Sequence, residues 1–66
     1  KRSKILEVKE AIISLENKIG KMIPIEEIEK ELEGSMNRIQ IEESLEKLSI
    51  SGDIFYPKKG YIQRVQ

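Results

Sequence analysis

Residues 53–65, DIFYPKKGYIQRV, set two short runs of β-branched, aromatic and aliphatic side chains on either side of Pro57-Lys58-Lys59-Gly60. Runs of this kind bounded by turn residues read as the two strands of a β-hairpin. Upstream of Ser51-Gly52-Asp53 the apolar residues recur at helical spacing instead. The chain therefore changes period once, and its fold must seat a hairpin against helices. With 66 residues it makes one domain at most. A domain of that size buries only about 60% of the surface its unfolded form exposes, so the core is small.

The apolar spacing predicts a helix over residues 5–19. Ile5, Val8, Ile12, Leu15 and Ile19 form its stripe, widened by Leu6, Ala11 and Ile13. That stripe is too broad for a coiled-coil seam and suits the core face of an amphipathic helix. Gly20 fits the C′ position. Ile23 precedes Pro24 and is biased toward extended backbone, so Met22 and Ile23 are expected to give a short strand. A second helix is predicted over residues 25–33, with Pro24 at its first turn and Glu26 and Glu27 at its positive dipole end. Ile25, Ile28 and Leu32 face inward, and Gly34 ends it. Ser35 is the expected N-cap of a third helix over residues 37–50, with Arg38 rather than Glu at N3 and so no capping box. Ile41, Leu45 and Leu48, helped by Ile39, mark its buried stripe. In the hairpin, residues 54–65, Tyr56 and Tyr61 are expected opposite each other, with Phe55 and Ile62 on the core face.

This order predicts an α+β winged helix. Its helix-turn-helix is joined by Gly34-Ser35-Met36, its wing is the C-terminal hairpin, and a small antiparallel sheet completes its three helices.

Composition narrows the chemistry. The chain has no Cys and no His, which removes disulfides, thiolate metal sites, the commonest general base and the commonest metal ligand. Neither a GxxxxGK[ST] loop nor a GxGxxG is present. No catalytic role, metal or cofactor is expected of this chain. No apolar run is long enough to span a bilayer, and no signal-peptide core follows the Met-less start. A cytoplasmic fragment of a larger protein is the expectation.

The formal net charge is zero, from 12 basic and 12 acidic residues. Residues 1–24 carry +3, residues 25–50 carry −5 and residues 51–66 carry +2. An acidic middle lies between basic ends. Lys58 and Lys59 at the hairpin tip are candidate phosphate contacts. Equally, lysines at a loop tip keep a sheet edge soluble. Arg64 extends the basic surface. Tyr56 and Tyr61 read mainly as a cross-strand brace, with stacking on bases as the sharper alternative. Asn37, Arg38 and Gln40 open the third helix and are chemically suited to read base edges. Glu42, Glu43 and Glu46 follow them and repel a phosphate backbone, although Glu43 and Lys47 are spaced as a helical ion pair. In the second helix Glu26, Glu27, Lys30 and Glu33 form a solvated face or a docking surface for a basic protein.

The run LEKLSISGDIFYPKKGYIQRV, residues 45–65, resembles the end of archaeal minichromosome maintenance (MCM) replicative helicases. Those proteins finish in a winged helix with an I-[FY]-x-P-x-x-G-Y-[IL] hairpin, met here by Ile54, Phe55, Pro57, Gly60, Tyr61 and Ile62. The likeness covers the whole chain in element order and its last third in motif detail. It implies a hexameric, ATP-driven parent of the AAA+ class, bound to ATP and Mg outside this chain and associated with chromosomes. It further implies that this domain is monomeric and tethered beside the motor through Lys1 to Lys4. Such a module modulates the motor, contacts a replication initiator and touches DNA weakly or not at all. The resemblance carries over no catalytic residue. Two rivals stand beside it. One is a sequence-specific DNA-binding domain of a transcription regulator, read by Asn37, Arg38 and Gln40. The other is an assembly module without nucleic-acid contact.

Overall fold

The computed structural model describes residues 3–65, so Lys1 and Arg2 of the expected linker lie outside the described residues. The described residues form three helices and three strands: α1 Lys4–Ile19, β1 Ile23–Pro24, α2 Ile25–Glu31, α3 Arg38–Ile50, β2 Ile54–Phe55 and β3 Tyr61–Arg64. The fold is α+β, with one antiparallel sheet in the order β1-β3-β2. The strand expected near Met22 and Ile23 is β1, one residue further on.

Helix α1 starts earlier than the linker reading allowed. The Ser3 hydroxyl accepts the Leu6 N–H at 3.0 Å, which makes Ser3 the N-cap and puts Lys4 inside the helix. Gly20 closes α1 at φ 106°, a conformation that disfavours side chains, and donates its N–H to Glu16. Val8, Ala11, Ile12 and Leu15 are buried, whereas Leu6, Ile13 and Ile19 are exposed. The apolar stripe of α1 is thus narrower than its sequence suggested.

Helix α2 is shorter than expected, ending at Glu31. Leu32 caps it and turns inward, and residues 32–35 form the following turn. Helix α3 packs on α1 and buries Ile41, Leu45 and Leu48, and buried Met36 joins the core below the turn. Ile39 does not join them. It is 67% exposed, because two residues along a helix is about 200° of rotation from Ile41.

The hairpin register sits one residue from the expected one. Ile54 faces Arg64 and Phe55 faces Gln63, while β3 pairs Ile62 with Ile23 and Tyr61 with Pro24 on its other edge. The loop therefore holds five residues, 56–60, instead of four. A slip of one residue exchanges the two faces of a strand. Ile54 and Ile62 are buried in the core, and Phe55 is turned outward. Tyr56 does not oppose Tyr61, so the expected aromatic brace is absent.

Candidate functional site

Three elements converge on one side of the molecule: the start of α2, the start of α3 and the base of the hairpin loop. Their union is held by the backbone, since Ile25 N–H donates to the Gly60 carbonyl at 2.9 Å. Gly60 takes φ 83° to close the loop as expected. A groove between these elements is lined by Ile25, Glu26, Glu29, Arg38, Glu42 and Tyr61 among others. It continues past Lys30, Glu33 and Met36.

The structure brings Arg38 to this groove and ties it to acids. Its Nε lies 3.2 Å from Glu42 and 3.6 Å from Glu29. Glu26, Glu29 and Glu42 thus set three carboxylates against one guanidinium along the groove wall. A phosphate entering there meets net negative charge.

Asn37 and Gln40 are engaged locally. The Asn37 Oδ1 accepts the Gln40 N–H at 2.8 Å, and Gln40 Oε1 accepts the Asn37 N–H at 3.1 Å. This is a complete capping box, with Asn37 as N-cap in place of the expected Ser35. The signal was in the sequence, since Asn caps as well as Ser and Gln40 stands at its N3. Two of the three candidate base readers therefore serve the helix end, and the third is ion-paired.

Lys58 and Lys59 stand exposed at the hairpin tip. Lys58 Nζ lies 4.7 Å from the centroid of the Tyr61 ring, which holds that ammonium over the aromatic face. Tyr61 N–H donates to the Lys58 carbonyl at 3.1 Å, tightening the loop.

Arg64 lies elsewhere. It shares the sheet face of Ile54 and Ile62, so its side chain runs toward α1. There its Nη2 and Nε donate to Glu16 Oε1 at 2.8 and 3.2 Å. Glu16 Oε2 is buried with no hydrogen-bond partner. Sequence reading missed this bridge, because nothing local connects residues 48 positions apart.

On α2, Glu27 pairs with Lys30 at 3.7 Å one turn away, and Glu26 and Glu33 flank the groove. Glu43 and Lys47 form no ion pair, contrary to expectation from their spacing. Tyr56 leans toward α3. Burial pushes its phenol above the usual 10.0, helped by the charges of Glu46 and Glu42.

Among the described residues no group of acids is arranged to hold a metal ion, and no helix is long and apolar enough to cross a membrane. No family model matches the chain, and no curated protein matches it.

Proposed function

We propose that the chain is a winged helix serving as a regulatory, protein-contacting module of an MCM-like, ATP-dependent replicative DNA helicase. Helix α2, the Gly34-containing turn and α3 are its helix-turn-helix, and the β2–β3 hairpin is its wing. The sheet order, with a short strand between α1 and α2 pairing to the wing, supports this reading. The sequence of the wing supports the MCM-like parent. ATP and Mg belong to that parent's motor, outside this chain, and the module stays in the cytoplasm with the chromosome.

One observation carries the functional side. The residues that a DNA-reading helix would present, Asn37, Arg38 and Gln40, are occupied by a capping box and by two carboxylates. DNA contact then falls to Lys58 and Lys59, is electrostatic and weak, and carries no sequence preference. The main contacts are with protein, namely the AAA+ motor and an initiator.

The test is deletion of this domain from the protein that carries it. The hexamer is expected to stay assembled while its DNA-stimulated ATPase and unwinding rates change. Unchanged rates in an intact hexamer would reject the regulatory role. Enrichment of one duplex sequence from a random library would replace it with the transcription-regulator reading.

A further inference from the structure

Ile39, Glu43, Glu46 and Ile50 follow i, i+4, i+7, i+11 and so share one face of α3. That face lies opposite the buried stripe of Ile41, Leu45 and Leu48. Ile39 and Ile50 are the most exposed large apolar residues of the described chain, at 67% and 79%. They stand about 16 Å apart along the helix axis. The fold gives no reason for either. Both are solvent-facing helical sites, where a β-branched side chain lowers helix propensity and burial returns nothing.

The ground between the two isoleucines is acidic. Glu42 is shared with Arg38, but Glu43 and Glu46 have no ion pair among the described residues. Tyr56 flanks this row from the hairpin, half exposed and close enough to Glu46 and Glu42 to feel their charge. Two apolar anchors, an aromatic edge and two carboxylates outside any ion pair make a mixed surface, with Lys47 and Lys4 at its margin, where they line a cleft with Glu43. A phosphate backbone or an anionic bilayer is repelled by it. Apolar side chains with lysines or arginines between them complement it at both levels.

We propose that the outward face of α3, from Ile39 through Glu43 and Glu46 to Ile50 with Tyr56 beside it, docks a basic amphipathic helix of a partner protein. Its apolar residues cover Ile39 and Ile50, and its cations meet Glu43 and Glu46. The Tyr56 hydroxyl is protonated at neutral pH and donates a hydrogen bond across the joint. This deepens the reading of the domain as a protein-contacting module, and it is independent of which motor carries it.

The test is a titration of the isotopically labelled 66-residue chain, followed by NMR. The probe is a synthetic peptide of about four helical turns with leucines at i, i+4, i+7, i+11 and lysines flanking them. A second peptide carries glutamate in place of every lysine. The lysine peptide is expected to shift residues 39, 43, 46, 50 and 56 saturably, and the glutamate peptide to leave them unmoved. Ile39→Ser with Ile50→Ser should weaken the lysine peptide roughly tenfold or more, as loss of central anchors does. Both sites are exposed, so the variant is expected to keep its fold, checked by its amide spectrum. The inference is overturned if the lysine peptide leaves this face unmoved, if the serine variant binds equally well, or if both peptides bind alike. Duplex DNA shifting the same face would also overturn it. Deletion results on the parent protein bear on the motor alone, so the two proposals fail separately.

Discussion

Asn37 and Gln40 each accept the other's backbone N–H, at 2.8 and 3.1 Å, and so close the start of α3 with their own side chains. Residues that look like base readers in a linear sequence are thereby committed to holding the helix. Asn37→Ala is expected to destabilise the domain by about 1 kcal/mol. In a domain this small that lowers Tm by about 4–8 °C. Asn37→Asp should restore most of it, since aspartate caps equally well. Thermal unfolding followed by circular dichroism checks both, and weak DNA affinity should not follow the Asn37→Ala loss.

Arg64 and Glu16 join the last strand to α1 in a partly buried bridge, with side chains 41% and 14% exposed. Arg64→Met leaves the Glu16 carboxylate without its donor in a site that water reaches poorly. The expected cost is about 2 kcal/mol, the scale of a hydrogen bond to a charged group. Combining it with Glu16→Gln should cost less than the two single changes added together, because each removes the same interaction. Denaturant midpoints of the three variants measure the coupling.

Register separates two neighbouring residues of the hairpin. Ile54→Ala opens a cavity in the core and is expected to cost about 2–5 kcal/mol. Phe55→Ala removes a larger side chain from the outer face and should cost under about 1 kcal/mol. The reverse order would mean the register is the one first read from the sequence.

The phenol of Tyr56 titrates above 10.0, because it is partly buried and faces Glu46 and Glu42. A group whose folded pKa is raised holds its proton more tightly in the folded state. Its contribution to stability is therefore full below pH 10 and is lost as pH rises through the folded value. In a Tyr61→Phe background, tyrosinate absorbance should report that raised midpoint. Glu46→Gln should move the midpoint back toward the ordinary one without abolishing the shift, since burial is its larger cause.

The helices were legible because burial follows a 3.6-residue period, as Val8, Ile12 and Leu15 show. The short strand before Pro24 was legible from the restriction proline places on Ile23. What was not legible has physical reasons. Asn37 and Ser35 are equally good caps in isolation, and Asn37 is the one used, with Gln40 at its N3 completing a capping box that Arg38 at the N3 of Ser35 could not. The hairpin loop gained one residue, which exchanged Phe55 for Ile54 in the core. Hydrophobicity alone points Ile39 inward, whereas its angle from Ile41 places it outside. Arg64 meets Glu16 only through tertiary packing. At the candidate site, the exposed lysines were legible, and so was the local spacing of Asn37 with Gln40 and of Arg38 with Glu42; the contact of Arg38 with Glu29 on the neighbouring helix was not.

The most direct measurement is an NMR titration of the chain with duplex and single-stranded DNA at low and near-physiological salt. The predicted result is small shifts at Lys58, Lys59 and Tyr61 only. They should fade with salt at a log–log slope of about −2, since two phosphates are neutralised, and vanish in Lys58→Ala/Lys59→Ala. Sequence-dependent shifts at Asn37, Arg38 and Gln40 that persist at near-physiological salt would contradict the account, because the capping box and ion pairs would then have to open to DNA.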